Sequence, residues 1–287
     1  MPFKLISNIT FRKKTCSKQA FQISNFKLIC LGILIFSLFT FHFSLVKAQS
    51  PLEKAQNDYS SQLKKYNQAK ENYITAKANY NAFKTAASKN DAFVKTRDYL
   101  TQTNFLITNY LLVVKEYANQ LNWESSSFKK DDTFKPIDDE VNYLQDNWHQ
   151  FQKTTTLEDL PILANDLSKH LENSTNPITN KTLATYEVVK TEYLVNNFNQ
   201  LSQKLIDFAN TKVKENNRSI VNNWLSEINI IKRETDAHII QSKADLEKVI
   251  TDSPNQYQID QVIQNTKLTQ DELLKSRDLF KEILRII

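Results

Sequence analysis

The only glycine in this 287-residue chain is Gly32, and its isolation restricts the fold more than any other feature of the sequence. Every later residue carries a Cβ atom, which makes backbone conformations with positive φ costly. Primed hairpin turns, β-bulges and phosphate-cradling loops depend on such conformations. The sequence therefore argues against β-sandwiches and against nucleotide-binding folds.

The stretches between the few prolines are rich in Lys, Glu, Gln, Ala and Leu, which favour helices. We therefore predict an all-α fold. The expected helices cover residues 52–87, 91–121, 137–153, 159–172, 181–215, 219–250 and 254–287. Polar linkers are expected at residues 122–135, with the serine run as the most flexible part, and at residues 173–180. Residues 181–215 and 219–250 form either one continuous rod or two helices, and we favour a break at "KENNRS".

The N-terminal 48 residues have the pattern of an export segment. A flank that contains Lys and Arg but no acidic residue precedes the uncharged run "LICLGILIFSLFTFHFSLV" at residues 28–46. Positively charged flanks stay on the cytoplasmic side of a membrane, so the chain after Val46 is expected to be extracytoplasmic. It would be secreted or held at the cell membrane with its C-terminal part outside.

Two alternatives follow for the fate of this segment. Val46 and Ala48 are small residues at the positions that a signal peptidase reads, which predicts cleavage before Gln49. The 19 apolar residues would also rise about 28 Å as a helix, close to the thickness of a bilayer core, so a retained anchor is physically adequate. Contact with the membrane is expected through residues 28–46, before cleavage or without it.

The charge balance of the exported part excludes one class of partner. Seven of the 37 basic residues lie before Gln49, which leaves 30 against 32 acidic residues. A nucleic-acid interface needs a concentrated cationic face, so no nucleic-acid partner is expected. Both cysteines, Cys16 and Cys30, also precede Gln49, and the exported part can form neither a disulfide nor a thiolate metal site.

Tyrosines recur every seven residues in the first predicted helix, at Tyr59, Tyr66, Tyr73 and Tyr80. Seven residues is the period of a helix seam packed against a neighbour. The positions three residues later are mostly small, which would let a ring on one helix lie over an alanine on its partner. A buried seam is the favoured interpretation; the alternative is an aromatic contact stripe for a planar ligand.

The second predicted helix repeats the same period with Phe93, Leu100, Ile107, Val114 and Leu121. Two such seams predict an antiparallel helical hairpin of the coiled-coil type at residues 49–121. After the linker 122–135, residues 136–287 are expected to form a bundle of two short and three long helices. Its core stripe on the helix 181–215 would contain Leu194, Phe198, Leu201, Leu205 and Phe208. The whole exported part would then be an elongated bundle.

No constellation of residues indicates catalysis, a cofactor or a metal. His149, His170 and His238 lack metal-ligand spacing and are expected at surface or boundary positions. The acidic group from Asp131 to Glu140 fits a helix N-terminus better than a calcium loop, because the central glycine is missing. We predict no catalytic, cofactor-binding or metal-binding residues.

These features favour a non-enzymatic helical scaffold or protein-interaction protein at the cell surface, whose partners are other helical proteins or a second copy of itself. The alternative is a membrane-anchored ligand-binding or sensor bundle, because the apolar run could anchor such a domain. A helical pore is a third hypothesis, based on "FLITNYLLVV" at residues 105–114, but ten residues do not span a bilayer.

Overall fold

A computed structural model describes residues 50–124, 126–251 and 256–286. Within these ranges the chain is helical apart from short connections, and it contains no strand, so the predicted all-α fold is confirmed. The α-helices are α1 (Pro51–Phe83), α2 (Ala86–Asn119), α3 (Lys130–Lys153), α4 (Leu160–His170), α5 (Asn176–Lys212), α6 (Arg218–Thr251) and α7 (Gln256–Ile286). The export segment 1–48 and the cleavage site at Val46, Ala48 and Gln49 lie outside the described residues.

The chain divides into two compact units, each with its own core. The first unit combines residues 50–116 with Asp138–Asn176, and the second combines Tyr117–Ile137 with residues 177–286. None of the helices in the described ranges has both the length and the hydropathy needed to cross a membrane.

In the first unit, α1 and α2 lie side by side in opposite directions. Tyr59 faces Tyr110, and Tyr66 faces Tyr99, so the contacts move backward along α2 as they move forward along α1. Gln62 lies between these pairs and donates a 2.8 Å hydrogen bond to Gln102. The finer geometry of a coiled-coil hairpin stays a prediction.

The turn between these helices lies at Lys84 and Thr85, four residues before the expected position. Lys84 adopts the left-handed conformation with φ 48°, and its N–H donates to the Tyr80 carbonyl at 3.0 Å. Thr85 and Ser88 then cap α2 reciprocally: the Thr85 N–H donates to the Ser88 hydroxyl at 3.0 Å, and the Ser88 N–H donates to the Thr85 hydroxyl at 3.1 Å. This side-chain cap fixes the start of α2, whereas residues 88–90, the gap between the predicted helices 52–87 and 91–121, lie inside that helix.

The substitution Lys84→Gly is expected to stabilise the first unit by about 1 kcal/mol, because glycine adopts the left-handed conformation without the Cβ clash. Urea unfolding followed by circular dichroism measures the change. The matched control is Ala78→Gly, an exposed position inside α1, which should lose about 1 kcal/mol. Destabilisation by both substitutions would contradict the strain assigned to Lys84.

Helix α3 begins at Lys130, so the second half of the predicted linker 122–135 is helical. Asp131 and Asp132 lie in its first turn, where their charges favour the helix N-terminus. Pro136 lies inside the helix and removes one hydrogen bond to the carbonyl of Asp132. Asp132 is exposed, so water can satisfy that carbonyl.

The predicted linker 173–180 is also helical, which makes that prediction wrong. A π-helical turn, Leu171–Thr175, connects α4 to α5 without interrupting the helix. Buried residues follow one another at four-residue steps here: Leu167, Leu171, Thr175 and Thr179. Three such steps cover twelve residues, whereas three α-helical turns cover about eleven. The wider π turn accommodates the extra residue, so these four side chains stay on one buried face of the helix.

In the second unit, α5, α6 and α7 share an apolar core. Phe198 and Leu205 on α5 pack with Leu225 and Ile228 on α6 and with Ile283 on α7. The helix break expected at "KENNRS" is present, because Lys214 is extended and a short 3₁₀ turn, Glu215–Asn217, precedes α6. The predicted stripe on α5 is only partly right, since its members Leu194, Leu201 and Phe208 are exposed.

Candidate functional site

The four tyrosines of the candidate contact stripe lie along α1, where the two central ones are buried. Tyr66 and Tyr73 are 4% and 5% exposed, whereas Tyr59 and Tyr80 are partly buried. The alanines three residues after Tyr66 and Tyr73, Ala69 and Ala76, are buried on the same helix. The rings that would form the centre of a ligand platform are therefore covered by α2.

Tyr99 on α2 is the residue that joins this stripe together. Its hydroxyl lies 3.2 Å from that of Tyr66, and its ring stacks on Tyr73 with centroids 5.1 Å apart. Lys77 donates to the Tyr73 hydroxyl at 3.0 Å from the edge of the cluster. Burial raises the pKa of Tyr99, and the nearby Tyr66 raises it further. The cluster is thus stable as neutral phenols.

The first unit should lose stability at alkaline pH because buried tyrosines resist ionisation. Burial raises the pKa of Tyr110 to about 12, from an ordinary value of 10.0. The unfolded chain therefore loses this phenolic proton first, so the stability that Tyr110 contributes is full below about pH 10 and falls by about 1.4 kcal/mol per pH unit up to about pH 12. Urea unfolding at about pH 9 and 11 measures the fall. Tyr110→Phe should make it shallower, and an unchanged slope in that variant would contradict the assignment.

A shallow polar groove runs between α1 and α2 on the outside of the same pair. Its lining includes Lys64, Lys65, Asn72, Asp98 and Gln102. The groove is open to solvent, whereas small-molecule sites usually enclose most of the ligand surface in an apolar cavity.

The most concentrated polar chemistry of the first unit surrounds Glu140 on α3. Glu140 is 4% exposed, and its two oxygens lie 2.9 and 3.0 Å from His170 Nε2. The Thr175 hydroxyl donates to Oε1 at 2.5 Å. Tyr143 stacks on the His170 imidazole with centroids 3.5 Å apart and an interplanar angle of 17°. We call these four residues the Glu140 cluster.

The local sequence explains why a carboxylate is buried at this position. Glu140 lies on the same face of α3 as Ile137, Leu144, Asn147 and Phe151, which follow at alternating steps of three and four residues and are all buried. The π turn places Thr175 within reach of Glu140, five residues after His170. The helical face of α3 and the extra residue of the π turn together build the Glu140 cluster.

A carboxylate that orients an imidazole is also part of catalytic dyads. A dyad needs a nucleophile on the imidazole nitrogen that is not bound to the carboxylate. Here the one hydroxyl of the cluster that is bonded within it, Thr175, donates to the carboxylate. The arrangement ties α3 to the junction of α4 and α5 through charge-assisted hydrogen bonds.

A second buried carboxylate, Glu192 on α5, has the same role in the second unit. It accepts hydrogen bonds from the Ser126 hydroxyl at 2.9 Å and from the Ser127 N–H at 3.3 Å, and it pairs with Lys243 on α6. Ser126 and Ser127 belong to the serine run that was predicted as the most flexible part of the linker. Glu192 instead holds these two serines against the bundle.

His238 on α6 faces Glu272 on α7, with Nδ1 and Oε2 3.4 Å apart. Burial raises the pKa of the Glu272 carboxyl. The nearby Glu234 raises this pKa further, whereas His238 lowers it. No three His, Cys, Asp or Glu side chains converge on a metal-sized site in the residues that the structure describes. His149 is exposed on α3, and His170 and His238 are partly buried, so all three lie at surface or boundary positions, as expected.

Sequence reasoning missed Glu140, His170 and Glu192 as members of polar clusters. Glu140 was assigned to a helix N-terminus, but it lies inside α3, and His170, which was expected at a surface or boundary position, ends α4 directly before the π turn. One signal was present: Glu140 lies in phase with the apolar residues Ile137 and Leu144. A charged residue on an apolar helical face is rare unless it is paired.

Comparison with protein-family models, with curated proteins and with solved structures gives no match. The class of the protein is therefore defined by its own fold and side chains, as an all-α bundle whose polar clusters join helices.

Proposed function

We propose that this protein is an exported, non-enzymatic helical scaffold or protein-interaction protein of the cell surface. The basic flank and apolar run of residues 1–48 support export, with the membrane contacted through residues 28–46. Its partners would be other helical proteins or a second copy, and neither nucleic acid, cofactor nor metal is part of the proposal. The elongated, coiled-coil form of the hairpin belongs to the same proposal.

One observation carries the proposal: buried ionisable groups in both units hold helices together. Glu140 bonds His170 and Thr175, and Glu192 bonds Lys243 and Ser126. Buried charges are stable only when their hydrogen bonds are satisfied, so these groups are committed to packing. A bundle whose buried polar groups join its helices has a stable framework, which is suited to presenting surfaces to other proteins.

The alternative, a membrane-anchored ligand-binding or sensor bundle, rests on the groove between α1 and α2. Its lysine and amide lining could contact a polar ligand. The groove buries little ligand area, however, and affinity for small ligands depends on burial. The scaffold is therefore the better-supported function.

Surface crosslinking of intact native cells tests the proposal. The tagged chain is purified under denaturing conditions, and both its N-terminus and its crosslinked neighbours are identified. We expect cell-surface protein neighbours, with an N-terminus at Gln49 or before residue 28. A version without residues 1–48 serves as the control and should not acquire these neighbours. A cytoplasmic chain, or purified protein with a defined catalytic turnover, would contradict the proposal.

A further inference from the structure

One contact between ionisable side chains of α6 and α7 lacks a hydrogen bond. His238 Nδ1 and Glu272 Oε2 lie 3.4 Å apart, and the two side chains are 32% and 17% exposed. Both atoms are shielded from solvent, and neither has a hydrogen-bond partner among the residues that the structure describes. A buried polar atom without a partner is unfavourable, because it has lost water and gained no replacement. We call these two residues the His238–Glu272 pair.

The protonation state of the imidazole decides whether this contact is favourable. A neutral imidazole has one N–H, and the form with its hydrogen on Nε2 turns the Nδ1 lone pair toward the Glu272 carboxylate. An imidazolium has hydrogens on both nitrogens, so it always donates from Nδ1, and its charge offsets that of the carboxylate. Because part of the His238 side chain remains exposed, the cost of desolvating the imidazolium is limited.

The charges around the pair also favour a bound proton. Burial raises the pKa of the Glu272 carboxyl, His238 lowers it, Glu234 on α6 raises it and Lys275 on α7 lowers it. With a neutral imidazole, the two carboxylates and the one lysine leave a net charge of minus one at this contact. An imidazolium cancels that charge.

The charged groups between α5 and α6 are bound to partners of their own. Asn199 on α5 donates a 3.0 Å hydrogen bond to Asp236, which lies two residues before His238. Glu192 on α5 pairs with Lys243, five residues after His238. Carboxylates and lysines ordinarily keep their charge between pH 6 and 8, whereas an imidazole does not. His238 is the only histidine in residues 117–137 and 177–287, so a charge change of the second unit in this range points to it.

The pair lies between two apolar clusters of the second unit. Ile231 and Leu273 belong to one cluster, and Ile239 and Val262 belong to the other. Around the pair, buried hydroxyl residues donate to carbonyls of their own helix: Thr235, Ser242, Thr269 and Ser276. These short side chains bury little apolar area between helices. The attraction between α6 and α7 at this level therefore depends strongly on the pair.

The Glu140 cluster of the first unit is built differently. Both Glu140 oxygens lie within 3.0 Å of His170 Nε2, and the Thr175 hydroxyl is a second donor. That carboxylate keeps a donor in each protonation state of the imidazole. For Oε2 of Glu272, the facing atom is His238 Nδ1, so its hydrogen bond depends on the proton of the pair.

We propose that the His238–Glu272 pair is a pH switch, which joins α6 to α7 when it holds a proton and weakens their contact when it loses that proton. The proton belongs to the pair, because two groups this close titrate together. The folded second unit then binds the proton more tightly than the unfolded chain, in which the two side chains are apart. The stability from this contact is therefore full at about pH 5.5 and is lost as the pH rises toward about 8.

This inference goes beyond the proposed function and uses it only for the biological setting. An exported domain meets the pH of the surrounding medium, which varies more than that of the cytoplasm. The switch itself is a property of α6 and α7 and is measured on the purified protein.

Hydrogen–deuterium exchange at pH 6 and pH 8 tests the switch. The chain is expressed with its own export segment and purified as the cell processes it, and exchange rates are corrected for the intrinsic pH dependence of amide exchange. We expect protection of residues 231–246 on α6 and 265–280 on α7 to be about tenfold lower at pH 8 than at pH 6.

Matched variants assign the effect to the pair. His238→Gln keeps a donor for Glu272 but does not titrate, so protection should differ by less than about twofold between the two pH values. Glu272→Gln removes the buried carboxylate and should abolish the pH dependence in the same way. His149→Gln changes an exposed histidine on α3 and should leave the tenfold difference in the second unit intact.

NMR titration of ¹³C-labelled histidines follows the imidazole itself, whatever the effect of a variant on stability. The His238 signal is identified by its loss in His238→Gln. Glu234→Gln removes a negative charge and should move the titration midpoint of His238 to lower pH, whereas Lys275→Gln should move it to higher pH, each by about 0.5 pH unit.

Three results would overturn the inference. These are equal protection of α6 and α7 at both pH values, a pH dependence that His238→Gln retains, and a titration midpoint that neither Glu234→Gln nor Lys275→Gln moves. Protection that rises with pH would also overturn it, because the neutral imidazole would then be the bound form. The proposed function is judged by the crosslinked neighbours on cells and survives each of these results.

Discussion

Replacing Tyr99 with alanine is expected to destabilise the first unit by about 3 to 5 kcal/mol, as removal of a large buried aromatic side chain does in other cores. Tyr99 is nearly inaccessible, and its loss would remove the stack with Tyr73 and the hydroxyl contact with Tyr66. Urea unfolding and hydrogen exchange of α1 and α2 measure the effect. Because Tyr99 contacts both Tyr66 and Tyr73 of α1, its removal should lower the protection from hydrogen exchange along α1 as well as along α2.

The double variant Tyr66→Ala and Tyr73→Ala separates the two interpretations of the tyrosine stripe. A seam predicts a large drop in melting temperature together with loss of helicity. A ligand platform predicts a folded protein that no longer binds its target. Tyr193→Ala on α5 is the matched control, since that ring is exposed and should contribute less than about 0.5 kcal/mol.

The seven-residue period predicted the helices of the first unit well, because packing against a neighbouring helix produces both the period and the burial of its residues. A side chain that packs against a neighbouring helix must return to the same face every two turns, so Tyr66 and Tyr73 on α1 and Leu100 and Ile107 on α2 are buried. The turn was misplaced because its position depends on side-chain caps. The Thr85–Ser88 pair determines it, although Asn90 has the more suitable residue type for a helix end.

The linkers predicted before Pro136 and around Pro177 are helical for a different reason. Pro136 and Pro177 each remove one N–H, but the carbonyls that lose this donor lie on exposed sides of their helices, where water replaces it. A single sequence does not show which side of a helix a carbonyl faces until the packing partner is known. The π turn before Pro177 also depends on the packing partner. Its extra residue is favourable only because it keeps one face of the helix buried against a neighbouring helix.

The exposed apolar residues of α5 show the limit of periodicity in the other direction. Leu194, Leu201 and Phe208 have the period of a seam, and so do Phe198 and Leu205 beside them. Sequence spacing gives both rows equal standing, and only the positions of α6 and α7 show which row is covered. A helix with two apolar rows can therefore bury one in its own unit and leave the other exposed.

The Glu140 cluster was beyond sequence reasoning because its members are 30 and 35 residues apart. Each residue taken alone fits an ordinary role at the end of a helix. A buried carboxylate is costly when it is unpaired. The hydrogen bonds of Glu140 on α3 with His170 and Thr175 offset this cost and connect the helices. The same reasoning applies to Glu192, which lies 66 residues from Ser126 and 51 from Lys243.

Replacing Glu140 with alanine should therefore destabilise the first unit by about 3 kcal/mol, because His170 and Thr175 lose their shared acceptor inside a packed interface. His170→Ala should cost a similar amount, since it leaves the buried carboxylate without its cationic or N–H partner. Glu140→Gln keeps an oxygen for the Thr175 hydroxyl and should lose only about 1 to 2 kcal/mol. Glu172→Ala, an exposed change in the same π turn, is the control and should be nearly neutral.

The double variant Glu140→Ala and His170→Ala distinguishes a joined pair from two separate contributions. If each residue is needed mainly because the other is buried, the double variant should cost clearly less than the two single losses combined, by about 1 to 3 kcal/mol. Hydrogen exchange of residues 138–176 shows whether the loss of stability lies in the first unit. Urea unfolding of the whole chain would average the stabilities of both units. Strict additivity, or four variants within about 0.5 kcal/mol of the parent, would show that the Glu140 cluster does not hold α3 to the α4–α5 junction, and the case for a purely structural role of these groups would fail with it.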